Sequence, residues 1–157
     1  MIRHSLFLVL FILTACSVSE DSLEPNDDVA HATSLALGET REAIVILGND
    51  DLYTTTPSSA STLRWHLVPT GREREARIGL IGADGVAPTF PLEPVCSSPD
   101  APLPRVNCAS DGSFDLDAVV AEGESAVVVV HQPALCTDCF TPESTTYTIS
   151  VNTGPTP

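Results

Sequence analysis

Thr62-Leu63-Arg64-Trp65-His66-Leu67-Val68 decides how the rest of this chain is read. Leu63, Trp65 and Leu67 alternate with Arg64, His66 and Val68. A period of two puts apolar side chains on one face of a half-buried strand, whereas a helix needs them every third or fourth position. Trp65 is the only tryptophan of the 157 residues. The alternation assigns it to a core, although a lone exposed tryptophan would offer a stacking platform for sugar. Working outward, Ala43–Leu47 is an apolar run followed by Gly48-Asn49-Asp50, and Leu52–Thr56 is rich in β-formers and stops at Pro57. Arg77–Ile81 continues the pattern before the hairpin signal Asp84-Gly85. Val86 to Leu92 would pair back along an edge, because Pro88 and Pro91 cannot donate to a central ladder. Ser113–Val119 alternates with Phe114, Leu116 and Ala118 inward, and Glu122-Gly123-Glu124 is a turn. Ala126–His131 is the most apolar of these runs and predicts a central strand buried on both faces. Thr145–Val151 sets Tyr147, Ile149 and Val151 against Thr146, Thr148 and Ser150. About eight short strands spaced by turn signals predict an all-β fold, an antiparallel β-sandwich. Two segments stand apart. Asp27 to Leu37 predicts one helical turn, capped by Asp27 or Asp28, with Val29, Ala32 and Leu35 on a common side. Residues 93–112, rich in Pro, Ser and Asp, predict a surface loop.

At the amino terminus Arg3 precedes an unbroken apolar run, Leu6 to Leu13, which ends at Thr14-Ala15-Cys16. The run is too short to span a bilayer, where ~20 residues are needed. It suits the apolar region of a secretory signal. Leu13-Thr14-Ala15-Cys16 resembles the lipobox of bacterial lipoproteins. The resemblance implies that residues 1–15 are a cleaved signal peptide and that the Cys16 thiol carries covalent lipid. It places the protein at the bacterial cell envelope, on the outer membrane or the cell surface. The 157-residue chain less its first 15 leaves 142, which suits one domain with a sizeable core. Residues 16–23 then read as a flexible tether, 24–152 as the domain and 153–157 as a disordered tail.

The net charge of −14 becomes −15 when Arg3 leaves with the signal peptide. Such a surface repels nucleic-acid phosphates and anionic lipid headgroups, so no nucleic-acid partner is expected. Membrane contact would come from the acyl chains, each buried methylene contributing ~0.8 kcal/mol. Divalent cations, basic partners and simple solubility all remain compatible with the charge. With Cys16 committed to lipid, Cys96, Cys108, Cys136 and Cys139 remain. In an oxidising compartment they predict two disulfides. Three pairings are open, the most local being Cys96–Cys108 with Cys136–Cys139. Zinc or redox chemistry at Cys136-Thr137-Asp138-Cys139 is the alternative. A zinc ribbon normally has a second such knuckle, and Phe140-Thr141-Pro142 reads as loop where a thioredoxin-like site needs a helix.

Glu24-Pro25-Asn26-Asp27 is followed by Ala32-Thr33, Leu37-Gly38 and Asn49-Asp50-Asp51-Leu52-Tyr53. This order resembles the opening of the bacterial pre-peptidase C-terminal (PPC) domain family. Arg77–Ile81 with Asp84-Gly85, Ala121-Glu122-Gly123-Glu124 before Ala126–Val130, and Tyr147-Thr148-Ile149-Ser150-Val151 continue it, so the resemblance spans residues 24–151. It implies a jelly-roll-like β-sandwich of the kind appended to secreted proteases as an accessory module. It also implies calcium. Carried over by position, Glu24, Asn26, Asp27 and Asp51 would supply oxygens to an ion that takes about six to eight of them. Ser22 stands where calcium-binding members carry another acid, and Asn49 where they carry the first Asp of the later motif. Fewer carboxylates mean weaker binding. The same residues also suit a structural role, with Asn26 or Asp27 capping a turn and Asp51 hydrogen-bonding the backbone.

No Gly-x-Ser-x-Gly elbow, His-Glu-x-x-His helix or glycine-rich phosphate loop occurs in the chain. His66 and His131 fall in strands, and Glu122 and Glu124 flank a turn glycine rather than a cleft. The expected function is therefore a non-catalytic, lipid-anchored binding or accessory module with a protein or carbohydrate ligand. The competing reading is a small envelope enzyme or thiol-redox protein built on Cys136 and Cys139.

Overall fold

Nine strands form among residues 21–70, 76–90, 95–133 and 144–154, which the computed structural model describes. They are β1 (Thr33–Ser34), β2 (Thr40–Ile46), β3 (Asp51–Thr55), β4 (Ser61–Pro69), β5 (Arg77–Leu80), β6 (Arg105–Cys108), β7 (Phe114–Val120), β8 (Ala126–His131) and β9 (Ser144–Thr153). One sheet has the order β1-β3-β8-β5 and the other β2-β9-β4-β7-β6. The pairings are antiparallel except β1 with β3. The two sheets enclose the core predicted by alternation. Leu63, Trp65 and Leu67 of β4 lie beside Leu116 of β7 and Ile149 of β9, and all belong to one buried cluster with Tyr53 and Val128 of the other sheet. Trp65 is fully buried, and its indole N–H donates to Thr55 Oγ1 at 3.4 Å, joining the sheets. Its core assignment holds.

β8 is internal to its sheet, and Val128, Val129 and Val130 are all fully buried, so both faces are covered as expected. Val128 and Val130 face the core. Val129 aligns with Leu52 and Gly79 on the opposite face. Pro88 and Phe90 close over Gly79, where an added Cβ would stand 2.4 Å from Pro88 Cγ and 2.9 Å from Phe90 Cζ. The described part of Val86 to Leu92 is therefore not the edge strand expected. It lies against a sheet face, where proline's missing N–H costs no ladder bond.

Of the helical turn expected over Asp27 to Leu37, one turn capped by Asp28 forms, the His31 amide donating to Asp28 O at 3.1 Å, and it does not continue as a helix. Asp28 Oδ1 accepts from the Ala30 and His31 amides at 2.8 and 2.9 Å. That is the bonding of an amino-terminal cap, and the chain then enters β1 instead of adding further helical turns. Leu35 is buried while Val29 is 47% exposed, so the two do not share a side. The loop expected over 93–112 contains β6, held by the Cys96–Cys108 disulfide and by Ser97, whose amide donates to Val106 O at 2.7 Å. The structured chain also reaches past both ends of the domain read from sequence. Asp21 Oδ2 accepts from the Ile44 amide at 2.8 Å, and Leu23 packs on the core. Thr153 still belongs to β9, and the Gly154 amide donates to Thr62 O at 2.8 Å.

The solvent face of the larger sheet is organised around Asp117, whose side chain is fully buried. Arg64 grips both carboxylate oxygens at 2.7 and 2.8 Å, Asn107 donates at 3.2 Å and Arg105 at 3.4 Å. The Arg64 bonds hold the Asp117 carboxyl below the usual carboxylate range. Asp117→Ala removes the anion that Arg64 and Arg105 share, leaving Arg64 only the longer Asp115 contact at 3.6 Å. Because the two guanidiniums are partly solvated, the loss should fall at or just below the low end for a broken buried pair, about 2–3 kcal/mol in urea unfolding. Asp117→Asn, which keeps some acceptors, should cost less.

Candidate functional site

The best-defined polar site is an acidic corner where β3 begins. Gly48, at φ +84°, turns the chain after β2, and the Asn49 amide closes the turn on Ile46 O at 3.0 Å. Asp51 is then the first residue of β3. It shares the parity of Tyr53 and Thr55, so it points inward. Its side chain is almost wholly buried, the residue being 1% exposed. The Tyr147 hydroxyl donates to Asp51 Oδ2, and Tyr53 and Tyr147 bond hydroxyl to hydroxyl at 2.7 Å. Their rings meet edge to face, 6.4 Å apart.

Burial pushes the Asp51 carboxyl up to about 7. The Tyr147 bond opposes that shift, and the charges of Asp21, Glu24 and Asp50 add to it. Burial likewise raises both tyrosine hydroxyls above their ordinary range. The arrangement is a dry chain of hydroxyls ending on a carboxyl that keeps its proton to near neutrality.

Asn26 completes the corner. Its carbonyl accepts from the Leu52 amide at 2.8 Å, and its own amide donates to Glu24 Oε2 at 3.1 Å. The Asn26 side chain is fully buried, and among the described residues neither Oδ1 nor Nδ2 has a hydrogen-bond partner. A buried amide left unsatisfied costs about 1–3 kcal/mol, so this group points to something that bonds it. Asn49 Nδ2 donates to Glu24 Oε1 at 3.4 Å. Of the four residues expected to hold calcium, the fold thus brings Glu24, Asn26 and Asp51 to one corner. Asp27 is exposed, and its charge acts on His31. Asp21 is the residue missed by the sequence reading, which looked for the extra acid at Ser22. Hard oxygen donors of this kind suit calcium. Among the described residues no three His, Cys, Asp or Glu side chains are gathered closely enough to hold an ion outright. The donors fit the ion by type, with Asn26 Oδ1 unspent, and the cage is not pre-assembled.

The described histidines pair with aspartates through Nδ1, His31 with Asp28 at 2.8 Å, His66 with Asp115 at 2.7 Å and His131 with Asp50 at 2.7 Å. Strand register sets Ser150, His66 and Asp115 side by side across β9, β4 and β7. That order of residues suggests a nucleophile relay, but no hydrogen bond among the described residues joins Ser150 to His66. The row lies on the outer face, with the His66 side chain 43% exposed. Catalysis needs a bonded nucleophile and base beside preorganised oxyanion donors, and this row shows neither. Cys96 and Cys108 form the local disulfide expected. Cys16, Cys136 and Cys139 lie outside the described residues.

No family profile and no curated protein sequence matches the chain. Solved structures do. The pre-peptidase C-terminal domain of collagenase from Bacillus anthracis superposes with a TM-score of 0.51 at 14% identity, covering 77% of this chain and 94% of that one. The periplasmic g-type lysozyme inhibitors PliG of Aeromonas hydrophila and Salmonella Typhimurium each align at TM-score 0.41 and 10% identity, over 77% of this chain and 96% and 99% of theirs. The likeness to the collagenase domain is one of fold.

Proposed function

We propose that this chain is a non-catalytic accessory or binding module of the bacterial envelope, anchored through lipid on Cys16 and steadied by calcium at its acidic corner. The observation that carries the reading is the fold match over 94% of a collagenase's pre-peptidase C-terminal domain. The order of motifs from Glu24 to Val151 resembles that of the same family. Calcium would be held by Glu24, Asn26 and Asp51, with Asp21 close by. It would neutralise the clustered carboxylates and give Asn26 Oδ1 its missing partner. Ion binding then links the amino-terminal segment to β3, at the end of the domain nearest Cys16 in sequence.

Two measurements test the parts separately. Wild type should sediment with membranes through high-salt and carbonate washes, while Cys16→Ala should be released. A wild-type protein that washes off contradicts the anchor. Millimolar calcium should raise the melting temperature over an EDTA control, since ligand at about 100 times its Kd stabilises by ~2.7 kcal/mol. Asn26→Ala should abolish that rise. An unchanged melting temperature in wild type removes calcium from the account and leaves the anchor untouched.

A further inference from the structure

We propose that the space beneath the β5–β6 connection is a binding site for a neutral, apolar small molecule about the size of a bicyclic ring. This goes beyond the reading above and depends on neither the lipid nor the calcium corner.

β5 is the edge of the smaller sheet and β6 the edge of the larger one. Between these edges lies a cavity of about 300 Å³. Its floor is apolar, built from Ile78, Leu80, Val106, Phe114 and Leu116, and it is covered by Pro88, Phe90 and Val95. The described residues on either side of 91–94 are each held in place. Phe90 stacks on the His131 imidazole, 4.8 Å between centroids and 9° from parallel, beside the Pro88 contact at Gly79. At the far end the Cys96–Cys108 disulfide and Ser97 tie the connection to β6.

Protein interiors are close-packed, and voids larger than a water molecule are few. An apolar cavity of about 150 Å³ is enough to admit benzene. Twice that volume suits a naphthalene-sized ring or a chain of about eight to ten carbons, at the lower bound for ligand pockets. The polar lining decides the ligand's charge. Arg105 is spent on Pro99 O at 2.7 Å and on Asp117. Arg77 donates to Ala76 O at 3.3 Å and lies over the Phe114 ring, 5.6 Å from its centroid. The Arg105 charge is paired with Asp117, and the chain's net charge of −14 disfavours the approach of an anion, so a neutral ligand is favoured.

The test uses the mature chain, residues 16–157, carrying Cys16→Ala, which has neither the lipid nor the apolar run Leu6 to Leu13 and needs no detergent. N-phenyl-1-naphthylamine should bind saturably, with a fluorescence rise reversed by 1-decanol and about tenfold less effectively by decanoate. Val106→Phe and Leu80→Phe, which fill the cavity, should each weaken probe binding about tenfold or more while circular dichroism stays native. In wild type, decanol should shift amide resonances of β5, β6 and β7, a readout that survives if either variant fails to fold. Absence of saturable binding overturns the proposal. So do folded filling variants that bind like wild type, shifts confined to other strands, or decanoate displacing the probe better than decanol.

Discussion

Trp65→Ala is expected to remove a large share of the stability of this domain. Deleting a fully buried tryptophan costs about 3–5 kcal/mol when the site cannot collapse. Trp65 aligns with Val151 of β9 on one side and Leu116 of β7 on the other, both buried, and its indole N–H reaches Thr55 in the opposite sheet. Thr55 Oγ1 in turn donates to Leu35 O at 3.0 Å, so the loss spreads to the segment between β1 and β2. Against a typical total of about 5–15 kcal/mol, such a variant is marginal. Trp65→Phe should cost clearly less, since it keeps most of the volume. Urea unfolding followed by circular dichroism measures both. In wild type, emission from the single tryptophan should be blue-shifted and move to the red on unfolding. A Trp65→Ala protein within about 1 kcal/mol of wild type would mean that the sandwich does not close on this residue.

The second large effect is a pH dependence with an uncommon sign. In EDTA, burial holds the Asp51 carboxyl up at about 7 in the folded protein against an ordinary value of 3.8. Between those values the folded state keeps a proton that the unfolded chain has released. The contribution is therefore full below about pH 4, falls as pH rises, and is gone above about pH 7. Three pH units correspond to about 4 kcal/mol. Asp117 works in the opposite sense, because its carboxyl is held low and its stabilisation is lost in acid. The informative quantity is thus the difference between wild type and Asp51→Asn, which still offers Tyr147 an acceptor. Asn should remove the slope and leave the protein more stable than wild type at pH 8. Calcium favours the ionised carboxylate, so its affinity should rise with pH through 7. Parallel pH curves for the two proteins would contradict the burial of Asp51.

The strands that build the core were legible because one face of each meets the interior and the other meets water. β4, β7 and β9 show that period, and the run at β8 announced a strand covered twice. What was hidden depended on contacts distant in sequence or on groups that mimic another pattern. The spacing of Val29, Ala32 and Leu35 matches a helix, but the turn capped by Asp28 closes once and the chain then enters β1, burying Leu35 and leaving Val29 exposed. β6 has four half-buried residues and no alternation, and its existence depends on β7 and the disulfide. A period of two says nothing about which segment covers a sheet's outer face. Gly79 inside a strand was the available clue, since glycine there marks a close approach. At the acidic corner, the inward direction of Asp51 follows from the parity of Tyr53. Its partner Tyr147 lies 96 residues away, and the Asp21 contact with Ile44 spans 23.

The central claim is an envelope module held by lipid at Cys16, and metabolic labelling with a radiolabelled or clickable fatty acid tests it most directly. Wild type should incorporate the label and Cys16→Ala should not, with both proteins expressed to similar levels. Label that persists in Cys16→Ala, or a wild-type protein that stays unlabelled, would contradict the account.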